Sequence, residues 1–324
     1  MGVALVTGVA GFVGSAVARA YLDAGLDVLG VDAMRATYSP DLKRDNLRSL
    51  LRDPRFTFHE RDLVRDSVAD LVAGVDAVSH QAGRAGLRDS WRGDFGSYLD
   101  DNVAATKNLL DAVAGEPRIR RVVVASSSSV YGDAASYPTR EDALPTPLSP
   151  YGVSKLAAER LAVAYASAHG VPVVCLRYFT VFGPGQRPDM AFHRMIAAAT
   201  GGPAFPLLGT GEQVRDFTYV GDVAEANLAA LAADPEPGTV LNIAGGVQAS
   251  VLEALDVVAE LAGSPVRLKR RPAATGEARR TSGATDAARA LLGWEPRTSL
   301  RAGLEAQYAA HVDQVARLGG SVES

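Results

Sequence analysis

Short apolar segments rich in β-branched residues alternate with longer amphipathic segments along the first half of the chain. The apolar segments occupy residues 3–7, 27–32, 56–60, 77–80, 122–126 and 171–177. They lack a polar face, as do strands of a parallel sheet that helices cover on both sides. Segments with helical periodicity lie between them, for example at 12–25 and 156–170. The pattern predicts the α/β class, with a Rossmann-type, doubly wound parallel sheet.

The rhythm changes after about residue 177, where Gly/Pro-rich loops, shorter strands and scattered helices dominate. Such a segment suits a second, smaller lobe packed against the carboxyl edge of the sheet. We therefore divide the chain into a sheet domain over 1–177 and a smaller lobe over 178–324, with some elements interleaved.

Composition and charge exclude several classes of protein. The 324 residues are 47% hydrophobic, enough to bury a sizeable core, and their formal net charge of −4 offers no basic face to nucleic acid. No apolar run reaches the ~18 residues of a membrane span, and the N-terminus has no secretory pattern. The single cysteine, Cys175, excludes an internal disulfide and suits core packing. We expect a soluble, cytoplasmic protein without nucleic-acid or membrane partners.

The first strand runs into TGVAGFVG, with glycines at 8, 11 and 14, and then into a helix. Such a turn lets backbone amides approach a pyrophosphate, although its GxxGxxG spacing also fits an ordinary Gly-rich turn. Asp32 ends the second strand about 20 residues on, where a carboxylate accepts both hydroxyls of an adenosine ribose. It would repel a 2′-phosphate, which favours NAD over NADP. Arg35, three residues later, argues against this preference for NAD, unless it is a surface side chain.

The third and fourth strands end in residues that suit the same cofactor. Asp62 and Leu63 would face the adenine, and the small Ala82 and Gly83 would let the backbone pass close to the dinucleotide. The predicted cofactor contacts in this half of the sheet are Gly8, Gly11, Phe12, Val13, Gly14, Asp32, Asp62, Leu63, Gln81, Ala82 and Gly83.

The segment YGVSK places Tyr151 and Lys155 four residues apart at the start of a long helical pattern, so both side chains project from one face. A tyrosine with the ordinary pKa of about 10 is a poor base at neutral pH. A nearby ammonium group favours the phenolate and lowers that pKa, which makes the tyrosine usable as a general base. We therefore predict that Tyr151 is a catalytic base and Lys155 its partner.

From TGVAGFVG to LLGW at 291–294, the chain resembles the extended short-chain dehydrogenase/reductase family, specifically its nucleotide-sugar epimerases. The resemblance implies a tightly bound NAD that removes a hydride from carbon 4 of the sugar and returns it to the other face of a 4-keto intermediate. It assigns 1–177 to NAD and 178–324 mainly to the nucleotide sugar. Ser127 would bind the reacting hydroxyl of the sugar, and Lys155 would also hold the nicotinamide ribose. Tyr178 would lie beside the nicotinamide, and Asn102 would have a structural role behind the site. We expect no metal, since the sequence has no cluster with ligand spacing.

Two positions separate the branches of this family. Dehydratases carry an Asp-Glu pair where this chain has Ser128 and Ser129, and decarboxylating relatives usually carry Glu at the second position. Both reactions are therefore disfavoured, and epimerization remains. Epimerases of neutral sugars usually read RYFN, whereas RYFT with Thr180, followed by a loop ending in RPDMA, resembles UDP-glucuronate 4-epimerases.

A uronate substrate also has a physical requirement that these residues meet. Its 4-keto intermediate is a β-keto acid, so the enzyme must hold the carboxylate in an orientation poor for loss of carbon dioxide. Ser127, Ser128, Ser129 and Thr180 could surround the carboxylate, and Arg187 could supply the opposite charge. A charge-assisted hydrogen bond contributes about 1.5–3 kcal/mol, which gives roughly 10- to 100-fold discrimination. Arg187 could instead contact the pyrophosphate or lie on the surface.

The nucleotide end rests on the resemblance alone. Arg215 would bind the pyrophosphate, unless it forms a salt bridge with Asp216, and Glu277 would lie near the uridine ribose. Arg88 could face the cleft or the solvent. The runner-up function is a 4-epimerase of neutral UDP-glucose or UDP-N-acetylglucosamine type, and the non-enzyme alternative is an inactive NAD-binding regulator. The resemblance further implies a homodimer through helices near 97–114 and 151–169, although burial under the chain's own sheet explains their apolar faces equally well.

Overall fold

The computed structural model describes residues 2–273, 276 and 278–319. Its strands are β1 (Val3–Thr7), β2 (Asp27–Asp32), β3 (Phe56–Glu60), β4 (Ala77–His80), β5 (Arg121–Ser127), β6 (Val173–Tyr178), β7 (Val181–Phe182), β8 (Phe205–Leu208), β9 (Val214–Asp216), β10 (Thr218–Tyr219), β11 (Thr239–Ile243), β12 (Gln248–Ser250) and β13 (Leu268–Arg271). Its α-helices are α1 (Phe12–Asp23), α2 (Pro40–Arg48), α3 (Ala69–Val72), α4 (Phe95–Tyr98), α5 (Ala105–Ala114), α6 (Pro150–His169), α7 (Ala191–Ala199), α8 (Val220–Ala232), α9 (Val251–Ala262), α10 (Asp286–Leu292) and α11 (Leu300–Gly319).

Within the described residues, the main sheet has seven parallel strands in the order β11-β6-β5-β4-β1-β2-β3. The predicted Rossmann-type sheet is thus confirmed, and each of the six apolar segments forms one of its strands. The seventh strand, β11, comes from the C-terminal half and pairs with β6 from Thr239 to Ile243. The chain order reverses between β1 and β4, and ligands bind at such a switch point in doubly wound sheets.

Helices cover both faces of this sheet. On one face α5 and α6 pack through residues such as Leu109, Leu110 and Ala162, all fully buried. On the other face α1 packs against α8, where Ala18 and Ala224 permit a close approach. The burial of both sheet faces explains why the strand segments are apolar throughout.

The smaller lobe is built on short strand pairs, with β8 parallel to β13 and β9 antiparallel to β12. Its core contains a cluster of aromatic rings, including Phe182, Phe192 and Phe217, against which Leu304 of α11 packs. The domain boundary at 177/178 remains a prediction, since β11 and α8 return from the C-terminal half to the main sheet. In the described part of the chain, no helix is both long enough and apolar enough to cross a membrane.

Candidate active site

A cavity of about 980 Å³ opens at the carboxyl edge of the sheet, between the sheet and the smaller lobe. Every described residue predicted to bind cofactor or substrate lines it: Gly8, Gly11, Phe12, Val13, Gly14, Asp32, Asp62, Leu63, Gln81, Ala82, Gly83, Arg88, Ser127, Ser128, Ser129, Tyr151, Lys155, Tyr178, Thr180, Arg187 and Arg215. Glu277 lies outside the described residues. The structure therefore brings residues from both halves of the chain to one site.

The glycine turn brings backbone against backbone. Gly8 has φ +67°, and a Cβ added there would lie 2.7 Å from the Cα of Ala82. A Cβ at Gly14 would lie 2.2 Å from the carbonyl oxygen of Gly8, so that α1 begins directly behind the turn. Side chains at these positions would fill the space through which a pyrophosphate reaches the backbone amides.

The Asp32 carboxylate lies at the base of the cavity, buried and fixed by three donors. The amides of Ala10 and Met34 donate to it at 3.2 and 2.8 Å, and the Lys43 ammonium donates at 3.1 Å. Sequence analysis did not identify Lys43. The signal that could have found it is its spacing from Leu47, because both residues lie on the buried face of α2.

Arg35 is held by carboxylates at the rim of the cavity. Its guanidinium donates to Asp62 at 2.6 Å and also to Asp101, which accepts a further bond from Arg84 at 2.8 Å. These four side chains, which we call the rim cluster, join the loop after β2 to the ends of β3 and β4. Since two carboxylates already compensate Arg35, it is neither a free surface charge nor an open site for a 2′-phosphate.

The helix α6 begins where its sequence predicts. The hydroxyl of Ser149 accepts a hydrogen bond from the Gly152 amide at 3.1 Å, and Pro150 occupies the first turn, where its missing N–H has no cost. This start places Tyr151 at the cavity and buries Lys155 beneath it. Ser154 accepts a bond from Asn102, whose side chain also pairs with the backbone of Arg84, as its expected structural role requires.

The pKa values of this pair differ from the simple expectation that Lys155 lowers the pKa of Tyr151. Burial raises the pKa of the Tyr151 phenol, and the opposing influences come from Ser127 and the Arg187 guanidinium. Burial also lowers the pKa of Lys155, to about 8, while Cys175 and Glu159 oppose that change. The Lys155 ammonium donates to the carbonyl of Ala125, which directs its charge toward the end of β5.

Hydroxyl groups gather at the end of β5 as that strand turns into a short 3₁₀ helix over Ser128–Val130. Ser127 caps this turn by accepting a bond from the amide of Ser129 at 3.1 Å. Ser128, Ser129 and Thr180 line the same cavity. Ser126 also borders the cavity, and its hydroxyl donates to Glu159 at 2.6 Å.

Arg187 lies in the loop between β7 and α7 and forms a two-point ion pair with Asp189, at 3.0 and 2.8 Å. Burial alone would lower the pKa of Arg187, but the Asp189 carboxylate outweighs that effect and raises it. On the other side of the site, the Tyr178 hydroxyl contacts Gln81 at 3.1 Å and accepts a bond from Asn227 at 2.9 Å. No motif in the sequence indicated Asn227, which lies on α8.

At the nucleotide end, Arg215 and Asp216 both bond to backbone groups. Arg215 donates to the carbonyls of Val214 and Arg279, at 3.0 and 3.3 Å. Asp216 accepts bonds from the amides of Gly246 and Gly283 at 3.1 Å each, and burial raises its pKa to about 6. Among the described residues this carboxylate therefore serves the backbone, and the expected alternative of a salt bridge to Arg215 is not what the structure shows.

Comparison with known proteins decides the family. The model of the NAD dependent epimerase/dehydratase family matches residues 4–244. The chain belongs to this family. The epimerase/dehydratase family was the one that the Tyr/Lys helix and the glycine turn pointed to, so the recognition and the enzyme class are confirmed.

Relatives of this family resemble the chain over almost its whole length. An uncharacterized UDP-glucose epimerase, YtcB, of Bacillus subtilis (strain 168) is 39% identical over 94% of this chain and 96% of its own. The UDP-glucuronate 4-epimerase of Thermodesulfobacterium geofontis (strain OPF15) is 34% identical, with 94% of each chain covered. The solved UDP-glucuronic acid 4-epimerase from Bacillus cereus, in complex with UDP-glucuronic acid and NAD, has a TM-score of 0.92 and 38% identity over 96% of this chain and 99% of that one.

The cofactor prediction is confirmed for the family, since this solved relative binds NAD. The residues of this chain also fit the group. The glycine turn leaves its amides uncovered by side chains, the buried Asp32 carboxylate stands where a ribose needs an acceptor, and Arg35 is compensated rather than open to a further phosphate. The described residues contain no group of three or more histidines, cysteines and carboxylates arranged for a metal ion.

Proposed function

We propose that the protein interconverts UDP-glucuronate and UDP-galacturonate by NAD-dependent epimerization at carbon 4. The observation that carries this proposal is the position of Arg187, which lines the same cavity as Tyr151, Thr180 and the serines at 127–129. Its positive charge also opposes the rise that burial causes in the pKa of the Tyr151 phenol. A sugar carboxylate next to carbon 4 would meet that charge.

The proposed division of labour uses the side chains that already line the cavity. Bound NAD would supply the hydride chemistry at carbon 4, with a hydride leaving one face of the sugar and returning to the opposite face. Tyr151 would accept the proton of the carbon 4 hydroxyl and later return it, with Ser127 holding that oxygen by a hydrogen bond. Lys155 would bind the nicotinamide ribose from beneath. Tyr178, fixed by Gln81 and Asn227, would border the nicotinamide.

Control of the carboxylate is the second part of the proposal. The hydroxyls of Ser128, Ser129 and Thr180 would orient it, and Arg187 would balance its charge. Dehydration or assisted decarboxylation would favour a carboxylate side chain at position 128 or 129, and this chain has serine at both positions. In this assignment residues 1–177 mainly bind NAD and residues 178–324 mainly bind the nucleotide sugar, with Arg88, Arg215 and Glu277 toward its UDP part.

A neutral UDP-sugar is the second candidate, and one observation favours it. Asp189 already compensates Arg187 at 2.8 Å, so the site as described carries less net positive charge than Arg187 alone would give.

The homodimer is likewise a proposal. Leu99 and Val153 lie in the segments expected to form its interface, and both are exposed.

The test compares Arg187→Ala with the matched variant Arg140→Ala, because Arg140 forms the same two-residues-apart pair with Asp142 but lies exposed at the surface. Turnover of UDP-glucuronate and UDP-glucose is measured with each, and mass spectrometry monitors decarboxylated pentose. Loss of Arg187 should reduce kcat/KM for UDP-glucuronate about 10- to 100-fold and spare UDP-glucose. Unchanged preference in Arg187→Ala, with no pentose released, would refute the role of Arg187.

A further inference from the structure

The C-terminal helix α11 reaches into the loop that carries Arg187. The amide of Gly183, where this loop begins, donates to Oε1 of Gln307 at 3.0 Å. Nε2 of Gln307 donates in turn to Oε1 of Gln186 at 2.8 Å. Both glutamine side chains are buried, at 4% and 7% exposed, so neither bond is in exchange with solvent.

Gln186 spreads this contact over the rest of the loop. Its Oε1 also accepts from the amide of His193, at 2.8 Å, and its Nε2 donates to the carbonyl of Val181 at 3.2 Å. The side chain thus joins β7, which precedes the loop, to α7, which follows it. Arg187 is the next residue, so its Cα follows a side chain whose amide oxygen accepts two hydrogen bonds and whose amide nitrogen donates one.

The backbone of the loop holds part of this shape by itself. The amide of Gln186 donates to the carbonyl of Gly183 at 3.2 Å, and the amide of Met190 donates to the carbonyl of Arg187 at 3.1 Å. Gly183 has φ +136° and Gly185 has φ +81°, and glycine loses more conformational freedom on folding than other residues. The bonds from Gln307 add to these two turns, and a buried amide pair is a directional means of supplying such support.

Helix α11 is a firm support for these bonds. A Cβ at Gly303 would lie 2.5 Å from the ring of Phe182, so the helix rests directly on β7. Further along α11, Gln314 and Arg317 donate to Asp45 of α2 at 2.8 and 3.0 Å. The helix is thus fixed on both sides of the loop contact, and Gln307 transmits that position to the loop.

We propose that Gln307 is a positioning residue for substrate selection, which sets the place of Arg187 through Gly183 and Gln186. The inference rests on the proposed role of Arg187 as the group that recognises the sugar carboxylate. Gln307 is not one of the residues that line the cavity. It has both an acceptor for the Gly183 amide and a donor for Gln186, which an apolar residue of the same size lacks.

The experiment uses Gln307→Met, which keeps the volume and removes both polar groups. Glu305→Met is the matched control on the exposed face of the same helix, where Glu305 contacts only Arg301, at 4.0 Å, among the ion pairs of the described residues. Peptide-level hydrogen exchange over residues 183–193 measures how firmly the loop is held. The ratio of kcat/KM for UDP-glucuronate to that for UDP-glucose measures selection. Loss of the two bonds should raise exchange in this loop and lower the ratio about 3- to 10-fold, with Glu305→Met unchanged in both.

Faster exchange in Gln307→Met together with a lower ratio supports the inference. An unchanged ratio, or an equal loss on both substrates, overturns it, since a general loss of stability affects both sugars alike. Should the variant fold poorly, Gln186→Met removes the same link from the loop side and is judged by the same two measurements. If Arg187→Ala leaves the ratio unchanged, the proposed function fails, and with it the role of Gln307 in selection. Faster exchange over residues 183–193 in Gln307→Met would then show only that Gln307 holds the loop.

Discussion

The ion pair between Glu159 and Arg177 offers a test of what holds the catalytic helix in place. Glu159 lies one turn after Lys155 on α6, with no exposed surface, and Arg177 of β6 is 1% exposed. Arg177 donates to the carboxylate at 2.9 and 2.7 Å, and Ser126 at the end of β5 donates at 2.6 Å. The pair therefore ties the helix of Tyr151 and Lys155 to two central strands.

Replacing Glu159 by glutamine keeps the shape of the side chain and leaves the Arg177 charge buried without its counterion. Breaking a buried pair in this way costs about 3–5 kcal/mol in free energy of unfolding. Urea unfolding followed by circular dichroism measures the change. Glu295→Gln is the control, because its pair with Arg289 is exposed at 52% and 64%, and such pairs contribute about 0–1 kcal/mol.

The same pair predicts a pH dependence. Burial alone would raise the pKa of Glu159, but the hydrogen bond and charge of Arg177 outweigh it and hold the pKa below its usual value of 4.5. A lowered folded pKa means that the stabilisation is present above the unfolded pKa and is lost as pH falls through the lowered value. Wild type should therefore lose stability below about pH 4.5 more steeply than Glu159→Gln. A destabilisation of less than about 1 kcal/mol in the variant, or parallel pH curves, would refute this reasoning.

Two further predictions concern the cofactor. Gly14→Ala should abolish copurified NAD, measured by absorbance after heat release, because the new Cβ would lie 2.2 Å from the carbonyl oxygen of Gly8. The control Gly115→Ala should retain NAD, since Gly115 has an ordinary φ of −88° and its added Cβ would meet no atom closer than 3.7 Å. NAD retained in Gly14→Ala would contradict the tight turn. Asp101→Asn leaves Arg35 with Asp62 as its carboxylate partner. Calorimetry on the cofactor-free protein should show an affinity for NADP about 5-fold higher than in the wild type. The control Asp111→Asn, whose partner Lys107 is exposed, should show no change, and equal NADP affinity in both variants would show that the rim cluster does not restrain Arg35.

The sequence predicted those features that short segments specify. The six strand segments, the glycine turn and the start of α6 depend on neighbours in the chain, and each lies where its pattern placed it. The seventh strand did not stand out, because β11 is specified by its pairing with β6, far away in sequence. The partners of Arg35 were equally hidden, since Asp62 and Asp101 come from distant segments that only the fold joins.

The shift of the Tyr151 pKa shows a different limit. Spacing alone placed Lys155 on the same helix face, which was right, but the direction of the shift depends on burial and on what else the ammonium contacts. Burial dominates at Tyr151, and the Ala125 carbonyl holds the Lys155 ammonium. Neither quantity can be calculated before the strands and helices are assembled. The residues could therefore be predicted from the sequence, but the direction of the Tyr151 pKa shift could not.

The arginines around the cavity also limit how selective the site can be. Arg35 and Arg187, which both line the cavity, each have a carboxylate partner within the chain. A sugar carboxylate that binds Arg187 therefore replaces or joins Asp189, and does not meet an isolated charge. Its net advantage over a neutral sugar is the difference between two similar ion pairs, which is smaller than either pair alone. If Arg187 recognises the sugar carboxylate as proposed, selectivity for a uronate depends on how accurately the loop presents Arg187, and that is the role proposed for Gln307.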